Sequence, residues 1–120
     1  GTVAQAEERL YGEQIRALIS GKTTYGKHAF KDNEGYVYRR EDGTFVAFRT
    51  AGNELRRGTW SVRNDKFCRQ PEGEDNRCRE VYDQGDGTYR LYVQPKNLIK
   101  PRKHVWTIYK IADGNPENLK

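Results

Sequence analysis

Ile15, Leu18 and Ile19 fall at the i, i+3, i+4 spacing of an apolar helical stripe, with Leu10 about a turn earlier. Glu13 lies near the positive start of that segment. Gly12 weakens its first turn, and Gly21 suits a left-handed stop. The pattern predicts one short helix, from about Gly12 to Ser20. A helix of that length is marginal alone, so its stripe must dock against the rest of the chain.

From Thr23 onward the period changes to two. Tyr36 and Tyr38 alternate with Val37 and Arg39, and Phe45 and Ala47 oppose Val46 and Phe48. Leu55 to Val62 carries Trp60, and further runs follow at Lys66-Phe67-Cys68, Cys78 to Tyr82 and Thr88 to Val93. In the last run His104, Trp106, Ile108 and Lys110 alternate with Val105, Thr107, Tyr109 and Ile111. Asp42-Gly43, Gly52-Asn53, Asn64-Asp65 and Gly85-Asp86-Gly87 punctuate the runs with turn chemistry. About eight short strands with short loops predict a mainly β fold, an antiparallel up-and-down β-barrel with one N-terminal helix. Closure removes exposed edges, and eight strands either fill their interior or leave room for one small ligand. The organisation read from the pattern is an N-terminal tail over 1–9, one barrel domain over 10–112 and a turn-rich C-terminal tail over 113–120.

At 120 residues the chain has room for one domain. Leu, Ile, Val and Phe make up only about 18% of it, but 8 Tyr, 4 Phe and 2 Trp argue against disorder. No apolar run approaches the ~18 residues a membrane-spanning helix needs.

Cys68 and Cys78 are the two cysteines, spaced C-x9-C, which is not a metal knuckle. Pro71 to Asn76 between them is a polar turn-forming set that would let two strands face the cysteines together. A disulfide there stabilises the fold by about 2.5–3 kcal/mol in the chain-entropy model and implies an oxidising compartment. The alternative is two free buried thiols. Ala4-Gln5-Ala6 has the small-x-small form that precedes a signal-peptidase cut. Together these predict a periplasmic or secreted protein.

The order Leu10-x-Gly12, Ile15, Leu18, Gly21, Asp42-Gly43-Thr44, Gly58-Thr59-Trp60-x-Val62, Asp65, Cys68, Cys78, Tyr82, Gly87 and Tyr89 carries a resemblance. It resembles small exported bacterial proteins of unknown function with a lipocalin-like, or calycin-like, single-disulfide barrel. The resemblance covers roughly Leu10 to Gly114 and implies the fold but no activity. It departs from that pattern at Tyr11, where a helix-capping Ser or Thr is expected. A looser resemblance is to periplasmic inhibitors of proteases and lysozymes, which also use small one-disulfide barrels. A basic chain is poorly suited to basic lysozyme. The protease-inhibitor likeness implies a role for the segment Gly1 to Arg9.

Charge is unevenly spread. Gln94 to Lys110 holds Lys96, Lys100, Arg102, Lys103 and Lys110 without an acid, as much as the net charge of +5. Pro95 and Pro101 bracket the longest irregular connection. A loop at a barrel mouth is a natural binding element, which makes Lys96, Lys100, Arg102, Lys103 and His104 the candidate contacts for an anionic ligand or an acidic protein. The competing reading is a solvated basic loop. Trp60 and Trp106 are candidates for the barrel interior, as core or as cavity lining. Interleaved Tyr and Arg near Tyr38 and Tyr89 could stack bases, but an exported chain meets little nucleic acid, and none is expected as partner. His28 and His104 are the only imidazoles, no nucleophile elbow occurs, and the acid pairs lie in tails or turns. No enzyme activity, metal or cofactor is expected. The chain is expected to be a monomer.

The expected function is a non-enzymatic binding protein for a small or anionic ligand. The alternative is an interaction module such as a hydrolase inhibitor, acting through loops or the N-terminal tail. A carrier that encloses its ligand needs a cavity of ~300 Å³ or more. An interaction module can be packed inside and shows an apolar patch outside.

Overall fold

The computed structural model describes residues 6–120. Among the described residues the first element is a three-residue strand, β1 (Glu8–Leu10), followed by helix α1 (Gly12–Ile19). Eight strands follow: β2 (Lys22–His28), β3 (Glu34–Arg39), β4 (Thr44–Arg49), β5 (Glu54–Arg63), β6 (Lys66–Pro71), β7 (Arg77–Asp83), β8 (Tyr89–Val93) and β9 (Lys103–Asp113). Each pairs antiparallel with the next, and β9 returns to β2, closing an eight-stranded barrel. The short turns leave sequence neighbours no other arrangement.

β1 occupies a gap in that wall. β6 pairs with β7 only over Arg77–Arg79, and β1 takes up the next stretch of β7, with Leu10 opposite Val81 and Glu8 opposite Asp83. Glu8 and Arg9, read from the sequence as tail, thus enter the sheet. Three residues with one inward apolar side chain give too short an alternation to be seen beforehand. Positions 1–5, with most of the proposed cleavage motif, lie outside the described residues.

Helix α1 closes one end of the barrel. Its stripe enters the interior: Ile15 and Ile19 are buried with Leu10, Phe45, Trp60, Phe67, Val81, Leu91 and Ile108. Phe45 and Ala47 are the inward face of β4, since they continue the register of Val37 on β3. No residue caps the helix from position 11. Instead the Asp65 carboxylate, from the β5–β6 turn, accepts the Gly12 N–H at 2.9 Å, while Gln14 Oε1 accepts the Tyr11 N–H. The missing Ser or Thr is replaced from 53 positions away. Gly21 ends the helix with φ 70°, as its position suggests.

Cys68 and Cys78 are cross-strand partners on β6 and β7 and form a disulfide on the outer face, beside the short β6–β7 pairing. Trp60 is buried, and its indole N–H donates to the Arg40 carbonyl. The C-terminal tail is fixed to the outside of the wall: Leu119 is buried, Asn115 bonds its backbone, and Arg57 donates to the Lys120 carbonyl. Among the described residues no helix is long and apolar enough to cross a membrane.

Candidate anion site at the open end of the barrel

The end opposite α1 has no plug among the described residues. There β2, β4, β6 and β8 finish and β3, β5, β7 and β9 begin. Alternation along each strand decides what faces in. On β5 the inward parity of Gly58, Trp60 and Val62 extends outward through Arg56 to Glu54. On β6 the parity of Phe67 extends to Arg69, and on β7 that of Val81 extends to Arg79 and Arg77. Register holds these rows side by side: Trp60 opposes Arg69, Phe67 opposes Arg79, and Arg69 opposes Arg77. The apolar layer near the helix therefore gives way, toward the open end, to a wall of arginines.

Arg39, the last residue of β3, stands at the helix end of the barrel and within the apolar layer. It is 6% exposed, surrounded by Ile15, Ile19, Phe67, Val81, Leu91 and Ile108. Its guanidinium stacks over the Phe67 ring at 4.7 Å and donates to Thr24 Oγ1 at 2.7 Å. Its Nε–H has no partner, and no carboxylate pairs with it among the described residues. Burial pushes the Arg39 guanidinium down to about 9, with repulsion from Arg69 added. It still carries its charge at neutral pH, so the cost of burial falls on folding stability.

Arg69 and Arg79 share the strain. Burial pushes Arg69 down, and the like charges of Arg79, Arg77 and Arg56 push the same way, opposed by Glu74. Arg79 is lowered by burial and by Arg77, and one of its nitrogens donates to the Cys78 carbonyl. Among the described residues two carboxylates answer these arginines. Glu74 holds Arg56 at 2.6 Å and Arg77 at 3.8 Å, and Glu54 holds Arg56 at 3.0 Å. Arg39, Arg69 and Arg79 are in no ion pair among the described residues. Planar guanidiniums with spare N–H donors, partly removed from water, are the donor set that carboxylates, phosphates and sulfates accept from.

On β9, Trp106 forms part of the inner face. Its indole lies against Gly26, where a Cβ would stand 2.6 Å from Cε2 of the ring and 2.7 Å from the Thr107 carbonyl. The residual space around Arg39 is about 10 Å³, about the room of one water molecule. That space falls far below the ~300 Å³ of an enclosing carrier, while Arg77, at the open end, is exposed.

The residues singled out in the sequence do not converge there. Lys96 and Lys100 stand exposed on the β8–β9 connection and Lys103 is exposed at the start of β9. Arg102 lies against the outer wall, stacked on Tyr82 (4.4 Å) and Tyr92 (5.0 Å), its charge answered by Glu80 at 3.2 Å. His104 packs on Tyr92 and hydrogen-bonds with the Trp106 carbonyl and Thr107 Oγ1. Burial, then Arg90, lowers its pKa against the opposing pull of Trp106 and Glu7. The arginine wall escaped the sequence reading because its members are scattered over four strands among acids. The available signal was parity: arginines recur at positions in phase with Trp60, Phe67 and Val81.

Of the proposed functional tail, Glu7 is bound by Tyr92 and Gln84, and Arg9 lies 4.0 Å from Glu80. Among the described residues no group of three or more His, Cys, Asp or Glu is placed to hold a metal. The structure defines a closed eight-stranded antiparallel barrel with one disulfide and a basic inner surface at one end. No protein-family model, curated protein or solved structure matches the chain.

Proposed function

We propose that this is a non-enzymatic binding protein, lipocalin-like in build, that takes a small multiply charged anion at the open end of its barrel. The observation that carries the reading is the inward-facing set Arg39, Arg56, Arg69, Arg77 and Arg79, matched by two carboxylates among the described residues. Burying unpaired charge destabilises a fold by several kcal/mol, and a bound anion would supply the missing partner. The disulfide supports an oxidising location, periplasmic or extracellular. The Lys96–Lys103 segment then forms the rim of the site and raises the local concentration of anions.

Calorimetric titration with pyrophosphate tests this. Binding is expected at low salt and should weaken steeply as salt rises. Arg69→Gln and Arg79→Gln should each weaken it about tenfold or more, and Lys96→Gln only slightly. Absence of binding by pyrophosphate, citrate and sulfate alike, or full affinity in the Arg69→Gln, Arg79→Gln double variant, overturns the proposal.

A further inference from the structure

The rim of the open end carries an apolar tip ringed by lysines. Leu98 is 79% and Ile99 93% exposed, the two most exposed large apolar side chains of the described residues. They form the centre of a turn in the β8–β9 connection, closed by the Lys100 N–H on the Asn97 carbonyl (3.1 Å) and by the Ile99 N–H on the Asn97 side chain (3.0 Å). The pair is thus presented by an ordered turn with Lys96 and Lys100 at its ends. The neighbouring β2–β3 connection adds Phe30, 55% exposed. Lys103 Nζ stands 4.2 Å over its ring and His28 packs edge-on at 4.4 Å, which joins the two connections. Lys31 stands beside Phe30, with Asp32 the one acid of that connection. Lys31, Lys96, Lys100 and Lys103 are in no ion pair among the described residues.

We infer that this rim docks on an anionic lipid bilayer, with Leu98, Ile99 and Phe30 entering the interface and the lysines lying over acidic headgroups. Scattered exposed apolar residues are ordinary, but three on adjoining loops at one end are not. Leu, Ile and Phe are the side chains that enter a bilayer most favourably, and lysines near an anionic leaflet are drawn to it. An acidic protein partner fits less well. Protein interfaces favour Arg, Tyr and Trp and are poor in Lys. Here the β2–β3 and β8–β9 connections, with the first residue of β9, hold four lysines, and their one arginine, Arg102, is committed to Glu80. A two-residue tip is also far smaller than the ~800 Å² per partner of a stable protein interface. The inference stands on the rim, not on the arginine wall.

Sedimentation of the full chain with vesicles tests it. One set is phosphatidylcholine alone, the other contains about a quarter phosphatidylglycerol. The anionic vesicles should bind at least about tenfold more tightly at low salt. L98S with I99S should lose about tenfold or more of that binding while still binding pyrophosphate, and R69Q should retain vesicle binding. No preference for phosphatidylglycerol, or unchanged vesicle binding by the L98S/I99S variant, overturns it. So does capture by soluble polyglutamate in place of vesicles, which would point to an acidic protein.

Discussion

Two opposing demands meet at Arg39. It lines a small space with Ile15, Ile19 and Phe67, while its charge lies in apolar surroundings with one N–H unanswered. A buried charge without a carboxylate is a poor source of stability, and apolar replacements of similar volume are often neutral or stabilising by about 1–4 kcal/mol. Arg39→Met is therefore expected to raise the urea midpoint while weakening pyrophosphate binding. A variant that is clearly less stable would mean that the guanidinium, through Thr24 and Phe67, stabilises the fold without an anion. In the sequence Arg39 is visible only as one partner in an alternation with Tyr38 and Val37. Nothing local marks it as buried, because its burial comes from Phe67 and the helix, which are distant in the chain.

At the scale of elements, helix α1 depends on a cap that the helix itself does not carry. Asp65→Ala removes the acceptor for the Gly12 N–H and should cost about 1 kcal/mol in chemical denaturation. An unchanged stability would show that water serves the helix end equally well. A second cross-element device joins β1, β7 and the β8–β9 connection through Glu80, which is 8% exposed. Burial works against its ionised carboxylate, but the Tyr82 hydroxyl, Arg102 and Arg9 together outweigh this and hold its pKa below the ordinary value of 4.5. The folded state thus binds this proton less readily than the unfolded chain. The contribution is complete above pH 4.5 and is lost as pH falls through the lower folded value. Glu80→Gln should flatten the loss of stability below that pH, seen in urea melts at pH 3 to 7, about the range spanned by ordinary carboxylate and neutral conditions. An equally steep acid loss in the variant would contradict the role given to Glu80. The helix and the eight barrel strands were legible because their periods are clear and Gly, Asn and Asp mark the turns. β1 and the Asp65 cap were not, since each exists only through a partner more than 50 positions away.

For the molecule as a whole, the fold separates three surfaces that the sequence mixes. The outer wall satisfies its charges locally, as in the ion pair of Arg102 with Glu80 and the hydrogen bond that Tyr109 donates to Glu34. The helix end is filled with apolar side chains. The open end gathers arginines inside, lysines on the β2–β3 and β8–β9 side of its rim, and Glu72, Glu74 and Asp75 on the β6–β7 connection. The sequence showed the rim, since five basic residues without an acid stand out along the chain. It hid the interior cluster, since closing the barrel brings together Arg39, Arg56, Arg69 and Arg79 from strands where each alternates with neighbours of every kind. The central claim is that those inward guanidiniums receive an anion. Following the side-chain Nε–H signals of arginine by nuclear magnetic resonance during a pyrophosphate titration tests it directly. Signals of Arg39, Arg69 and Arg79 should shift together and saturably, while that of exposed Arg63, at the helix end of β5, stays in place. Shifts confined to the lysine rim, or spread evenly over all arginines, would contradict it.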